Sequence, residues 1–177
     1  MKRSILLGVA VLLITATLLF AGCTEEAPTA GTATTQAPGA VAPQPGLPSQ
    51  STLDQDSQFG TLISESTEAL NQTIPKIQAD MTNDDTAALQ RDSATLSSQA
   101  GSYYTKIQAL KVSPGYTNLQ TNYLKFLDDI RNAADFYVKG TTALQAGDQV
   151  NGNKYLEQGN AYYGKIPEDM RALLGPA

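Results

Sequence analysis

The residue types that this chain lacks restrict its chemistry as much as those it has. Its 177 residues include no histidine, no tryptophan and a single cysteine, Cys23. Without an imidazole, the chain cannot form a Ser-His-Asp or Cys-His catalytic site, a His-ligated zinc site or a Glu-x-x-His di-iron site. A single cysteine excludes intrachain disulfides and Cys-x-x-Cys metal or haem motifs. We therefore expect no enzyme activity, no cofactor and no metal site.

Tyrosines are the residues best suited to contact a ligand, and the chain has eight of them. Tyr103, Tyr137 and Tyr163 lie on the apolar stripes of three predicted helices. One interpretation is a cleft between these helices for an aromatic or sugar-like small molecule. The other is that the rings fill the core and place their hydroxyl groups at its rim. We favour the core and keep these three tyrosines as candidate ligand-facing residues.

Acidic residues cluster at three places without the spacing of a calcium loop. The clusters are Asp84-Asp85, Asp128-Asp129 and Glu65 with Glu68. The first is better explained as a helix cap, where the helix dipole favours negative charge. The second has Lys125 and Arg131 at helical spacing, which predicts ion pairs on a solvent-exposed face.

Asn71-Gln72-Thr73 is an N-glycosylation sequon. It lies just before Pro75, where we expect the first helix to bend. A bend at that point would leave Asn71 accessible to modification.

The N-terminal segment gives Cys23 a specific meaning. Two basic residues precede a nearly uninterrupted apolar run, residues 5–20, which ends at Ala21-Gly22-Cys23. This order is typical of a secretory signal. The run from Leu19 to Cys23 resembles the lipobox of bacterial and archaeal lipoproteins, although Phe20 replaces the usual Leu, Val or Ile. The resemblance covers residues 1–23 only, and it implies cleavage between Gly22 and Cys23 and a diacylglyceryl group on the Cys23 thiol.

An uncleaved signal anchor is the alternative, because the apolar run is long for a signal peptide and short for a membrane-spanning helix. Both interpretations keep Lys2 and Arg3 inside and place the rest of the chain outside the cytoplasm. Two acyl chains would suffice for stable anchoring. Removing these two basic residues would change the net charge from −5 to −7. Such a charge argues against nucleic-acid binding.

Residues 23–50 have the composition of a tether. The segment contains five of the nine prolines, many threonines and alanines, and no aromatic residue. Because it offers no apolar face to pack, we expect it to be disordered, with a root-mean-square span of about 30 Å.

From residue 51 onward, apolar residues recur at helical spacing. Four helices are predicted, at roughly 52–82, 85–111, 114–146 and 149–174. The second and third helices keep a strict alternation of three and four residues, typical of the seam between packed antiparallel helices. The seam of the third is Tyr116, Leu119, Tyr123, Phe126, Ile130, Ala133, Tyr137, Gly140 and Leu144. The prediction is an all-α, antiparallel up-down four-helix bundle over residues 51–177.

Several residues indicate where these helices begin, bend or approach each other. Ser51 with Asp54 resembles a capping box, and Gly147-Asp148 ends one helix and caps the next. Pro75 and Pro167 interrupt the first and fourth helices and should bend both. Glycines concentrate in the last third of the chain, where we favour close helix packing over a ligand groove; they are Gly140, Gly147, Gly152, Gly159 and Gly164.

The turn around Gly147-Asp148 also resembles the inter-helix turn of tetratricopeptide repeats, but no second copy follows at the expected period. The sequence therefore indicates a lipid-anchored protein outside the cytoplasm with a non-catalytic helical module for an interaction or structural role in the cell envelope, whose partner would be another envelope protein. The alternative is a lipoprotein that binds a small molecule in a tyrosine-lined cleft.

Overall fold

A computed structural model describes residues 49–174, and every regular element in this range is helical. The elements are α1 (Gln50–Thr82), α2 (Thr86–Gln108), a 3₁₀ turn (Pro114–Tyr116), α3 (Thr117–Gln145), α4 (Gln149–Tyr163) and α5 (Ile166–Leu174). The predicted all-α bundle is confirmed. The signal segment, Cys23 and most of the predicted tether lie outside the described residues.

Hydrogen bonds between side chains show that α2 and α3 run antiparallel. Near the start of α2, Gln90 donates to Thr142 near the end of α3, with 2.7 Å between Nε2 and Oγ1. Further along α2, Ser97 donates to Asp135, earlier in α3, with 2.5 Å between the two oxygens. Short connections between consecutive helices favour this arrangement.

The interruption predicted at Pro167 is present, but it is a complete break and not a bend, so the predicted fourth helix consists of α4 and α5. Helix α4 ends at Tyr163, and the amide of Lys165 donates to the carbonyl of Tyr162 at 3.0 Å in a turn. Helix α5 then begins at Ile166. Pro167 explains the break, since inside a continuous helix its ring would clash with the carbonyl four residues earlier. In the first turn of a new helix, the missing N–H costs nothing.

Pro75 has a milder effect, because α1 continues through it as one helix of 33 residues. Pro75 is exposed, so water can bond the carbonyl group that loses its intrahelical partner. The bend expected here stays a prediction.

The observed helix caps agree with the sequence at two boundaries and differ at one. Asp85 accepts a hydrogen bond from the amide of Ala88 at 2.9 Å, and Asp148 accepts one from Asn151 at 3.0 Å. The capping box proposed at Ser51 is wrong, because Ser49 is the N-cap of α1 and its hydroxyl oxygen accepts from the amide of Thr52 at 3.3 Å. The helix begins earlier than the apolar stripe, so the stripe alone placed its start too late.

The core lies along the predicted seams. The largest fully buried apolar side chains come from three helices and are Phe59, Ile77, Leu96, Ile107, Leu127, Ile130 and Tyr137. Tyr116 departs from its predicted seam, because it belongs to the 3₁₀ turn and is 44% exposed. Within residues 49–174, no helix is long and apolar enough to span a membrane.

Two glycine substitutions test the turn between α3 and α4. Gly147 has φ of +82°, a left-handed conformation that costs other residues about 1–2 kcal/mol. Gly60 lies inside α1, and a methyl group there would meet nothing within 4 Å. We expect Gly147→Ala to lower the free energy of unfolding by about 1–2 kcal/mol and Gly60→Ala to raise it by about 0.5–1 kcal/mol. Urea unfolding followed by circular dichroism measures both, and shifts in the same direction would contradict the assignment.

Candidate functional site

Helices α3 and α4 approach each other closely because glycines face the contact. A methyl group on Gly159 would lie 2.6 Å from Cε1 of Tyr137 and 3.2 Å from the carbonyl oxygen of Ala133. A methyl group on Gly140 would lie 3.1 Å from the carbonyl oxygen of Gly152. These distances leave no room for a side chain. The predicted role in close helix packing is thereby confirmed for Gly140, Gly152 and Gly159. It is wrong for Gly147, which lies in the turn and would bring a methyl group near no atom within 4 Å, and Gly164 faces only carbonyl oxygens of the preceding turn.

Tyr137 lies inside this contact and is 1% exposed. Its hydroxyl group donates a hydrogen bond to Oδ1 of Asn160 on α4 at 2.9 Å. Burial raises the pKa of Tyr137, and the nearby phenol of Tyr163 raises it further. The ring packs on Gly159 and the hydroxyl has a partner inside the protein, so Tyr137 is a core residue here.

Tyr163 and Tyr103 are both half-buried and lie in different surroundings. Tyr163 accepts a hydrogen bond from Nε2 of Gln78 on α1 at 2.7 Å. Burial raises the pKa of the Tyr163 phenol, and this hydrogen bond opposes the rise. The ammonium group of Lys106 lies over the ring of Tyr103, 5.2 Å from its centroid. Among the described residues, no ring contact or hydrogen bond joins Tyr103 to Tyr137 or Tyr163.

A different set of rings lies together along the junction of α3 and α4. Phe136 stacks between Tyr155 and Tyr162, with centroid distances of 6.3 Å and 5.7 Å and interplanar angles of 26° and 16°. All three side chains are half-buried. We call these three residues the aromatic row.

Two lysines cover rings of the aromatic row. The ammonium group of Lys139 lies 4.9 Å from the centroid of Phe136, and that of Lys165 lies 4.1 Å from the centroid of Tyr162. Both distances fall within the range of cation–π attraction. The row therefore combines apolar ring surface with two positive charges on a chain of net charge −5.

Lys165 also belongs to a charge cluster that joins α5 to α3. Asp129 on α3 and Asp169 on α5 are buried, with exposed side-chain fractions of 9% and 4%. Lys125 forms ion pairs with both carboxylates, at 3.1 Å from Oδ2 of Asp129, and Lys165 lies 3.6 Å from the other oxygen of Asp129. The predicted pairing of Lys125 with Asp129 is confirmed. The predicted position of Asp129 on a solvent-exposed face is wrong, because α5 covers this residue.

The pKa values of the two buried carboxyl groups are shifted in opposite directions. For Asp129, burial would raise the pKa, but the hydrogen bond from Lys125 and the positive charges of Lys125 and Lys165 outweigh it, so the pKa is lowered. For Asp169, burial and the neighbouring Asp129 raise the pKa, and Lys125 opposes them only in part. Oδ2 of Asp169 is buried and has no hydrogen-bond partner. When the pair binds one proton, Asp169 is therefore the residue that holds it.

Paired carboxyl groups can serve as acid and base in an enzyme, but this pair is closed to a substrate. The two lysines are about half-exposed and lie between the carboxylates and solvent. The arrangement is suited to holding α5 against α3. Within residues 49–174, no group of three or more acidic or cysteine side chains could hold a metal ion.

The sequon is placed unfavourably in the folded protein. Asn71 is exposed, but Thr73 lies in the middle of α1 and is 5% exposed. The Thr73 hydroxyl oxygen is 3.0 Å from Oε1 of Gln99 on α2, to which it donates. An enzyme that must bind this threonine in an extended peptide would have to unwind α1.

Comparisons with known proteins provide no relative for this chain. No protein-family model, no curated protein and no solved structure matches it. The site must therefore be interpreted from its own geometry.

Sequence reasoning missed the aromatic row and Asp169. A signal for the row was present, because Gly152, Tyr155, Gly159 and Tyr162 follow steps of three and four residues on α4. A line that alternates glycine with tyrosine predicts a close helix contact with rings beside it. Asp169 carried no such signal, because its partners come from another helix.

Gly159 and Gly101 provide a matched test of the close contact. We expect Gly159→Ala to lower the free energy of unfolding by about 1–3 kcal/mol, since the added methyl group overlaps the buried ring of Tyr137. Gly101→Ala adds only an ordinary contact, 3.6 Å from Cδ of Arg131, and should raise stability by about 0.5–1 kcal/mol. Thermal and urea unfolding measure both. A neutral Gly159→Ala variant would show that α3 and α4 are not held this closely.

The charge cluster predicts opposite effects for two isosteric substitutions. A raised pKa at Asp169 favours folding in acid, and this contribution is lost as the pH rises through the raised pKa. A lowered pKa at Asp129 favours folding above the ordinary aspartate pKa, and this contribution is lost as the pH falls through the lowered pKa.

We therefore expect Asp169→Asn to stabilise the protein at pH 7 and Asp129→Asn to destabilise it. The difference for Asp169→Asn should shrink as the pH falls through the raised pKa of Asp169, and that for Asp129→Asn only below the ordinary aspartate pKa of about 3.9, as the pH falls through the lowered pKa of Asp129. Urea unfolding at a series of pH values measures the free energies. If both variants changed the free energy of unfolding in the same direction at pH 7, the opposite pKa shifts of Asp169 and Asp129 would be contradicted.

Proposed function

We propose that this chain is a lipoprotein anchored to the outer face of a membrane through Cys23, whose helical bundle is a non-catalytic interaction module of the cell envelope. The observation that carries the proposal is the run Leu19 to Cys23 behind a basic and apolar N-terminal segment. The chain has no other cysteine, so the thiol has no intrachain disulfide partner. A secretory signal that ends at such a residue is best explained by lipidation.

The packing of the bundle supports a module that acts through its surface. The hydroxyl groups of two core tyrosines are bonded within the protein: Ser66 bonds Tyr123 at 2.6 Å, and Tyr137 bonds Asn160 at 2.9 Å. A cleft that bound a small molecule would keep such groups available to it. A small-molecule site at Tyr103, Tyr137 and Tyr163 is therefore the weaker proposal.

A non-catalytic role is supported by the composition and by the closed carboxylate pair. The chain has no histidine, which removes the commonest general base. Asp129 and Asp169 have their charge offset by Lys125 and Lys165. The missing imidazole and the ion-paired carboxylates therefore favour a role in partner binding over catalysis.

Intact mass spectrometry of the protein extracted from its native membrane tests the anchor. We expect a mass that begins at Cys23 and includes a diacylglyceryl group, and we expect Cys23→Ala to lose that group and remain unprocessed. Ser49→Ala is a matched control, because it changes a helix cap and no lipidation residue. A mass that retains Met1 in the unaltered protein would identify a signal anchor and overturn the proposal.

A further inference from the structure

The aromatic row combines stacked rings with two lysine ammonium groups on the described part of the bundle. Phe136, Tyr155 and Tyr162 form a line of half-buried rings in which each ring centroid is about 6 Å from the next. Each of the three rings is half-buried and so leaves part of its apolar surface exposed. The C–H groups of a sugar ring pack against such surfaces, and its hydroxyl groups remain free for hydrogen bonds.

The charge around the row is positive. No carboxylate of residues 49–174 lies within salt-bridge distance of Lys139, and the nearest to Lys165 is Asp129 at 3.6 Å. The acidic residues next along the two helices are directed elsewhere: Asp135 bonds Ser97 on α2, and helical spacing places Glu157 on the opposite side of α4 from the two tyrosines. A ligand on the row would therefore meet the ammonium group of Lys139, which has no carboxylate partner among residues 49–174, and that of Lys165, whose charge is shared with Asp129.

Polar amides border the aromatic row. Gln158 lies between Tyr155 and Tyr162 along α4, and its side-chain oxygen is buried without a hydrogen-bond partner. An unsatisfied acceptor costs about 1–3 kcal/mol, which a donor from a ligand would offset after the side chain turns outward. Asn132 and Lys139 lie about one helical turn before and after Phe136 on α3, and the Asn132 amide donates to Asp128 at 3.0 Å. Amides, ammonium groups and stacked rings together are suited to hydroxyl groups, carboxylates and sugar rings, respectively.

We propose that the aromatic row, with Lys139 and Lys165, binds an acidic saccharide, a sugar chain that carries carboxylate groups. The proposal deepens the interaction role proposed above by naming the class of partner, and it rests on that role. The net charge of −5 repels polyanions at long range, but charges more than about 8 Å apart are largely screened at physiological salt. The two lysines on the row then determine the local attraction.

Binding to three matched trimers tests this proposal. The full-length protein in neutral detergent is titrated at about 0.15 M salt with trigalacturonate, with maltotriose and with triglutamate. The trimers are an acidic sugar, a neutral sugar and an acidic peptide. Tyrosine fluorescence reports binding without interference, because the chain has no tryptophan. We expect trigalacturonate to bind more tightly than either control. No binding of trigalacturonate, or equal affinity for either control, would overturn the acidic saccharide.

Matched variants locate the site. Lys139→Gln should weaken trigalacturonate binding about twofold to fivefold, since one exposed charge contact is removed. Tyr155→Leu should weaken it about twofold to tenfold, since one ring of the row is lost. Lys106→Gln is the control, because Lys106 also covers a tyrosine ring but lies on α2. Circular dichroism verifies that each variant folds. A loss in Lys106→Gln equal to that in Lys139→Gln would overturn the assigned surface.

Cys23→Ala separates this inference from the anchor, because unlipidated protein should bind trigalacturonate with unchanged affinity. Retained Met1 together with trigalacturonate binding would overturn the anchor and support the surface. A lipidated protein that does not bind trigalacturonate would support the anchor and overturn the surface.

Discussion

The close approach of α3 and α4 is the constraint on which the rest of this bundle depends. The two backbones are so close at Gly140, Gly152 and Gly159 that no side chain would fit between them. Glycine inside a helix costs about 1 kcal/mol relative to alanine, so three of them along one contact need a compensating gain. That gain comes from the ring of Tyr137, which packs on Gly159 and bonds across the contact to Asn160. The same approach brings Phe136 between the two tyrosines of α4, so the aromatic row follows from the glycines.

The position of α4 also determines where α5 can lie. Helix α4 ends before Pro167, and after the turn through Gly164 and Lys165 helix α5 continues toward the start of α3, where Asp169 meets Lys125 and Ala172 accepts from Asn122. Burying two carboxylates is costly unless their charge is offset, and here two lysines offset it from the solvent side. The charge cluster forms only in the register that places Asp169 beside Lys125.

The sequence predicted features that depend on neighbours along the chain and missed those that depend on another helix. The alternation of three and four residues in α2 and α3 identified buried residues such as Leu96 and Ile130, because each helix buries one stripe whatever its partner. Gly147-Asp148 was also predicted, since a positive φ and a side-chain cap are local properties. Asp129 was expected at the surface because the helix that covers it follows a break that the apolar pattern does not show. The start of α1 was missed for a related reason: Ser49 caps a turn that buries nothing, so no stripe marks it.

The close packing of α3 against α4 also determines how this protein would bind a partner. Helices held by interlocking glycines and rings cannot part without exposing Tyr137 and its hydrogen bond, so a ligand that had to enter the core would meet a large opposing free energy. A ligand that lies on the aromatic row meets rings and ammonium groups that the packing of α3 and α4 has already placed. Little conformational entropy is lost on binding when the surface is ordered beforehand. A weak surface contact of this kind gains most when many copies act together, and a lipid anchor that confines the protein to a membrane plane would supply that multiplicity.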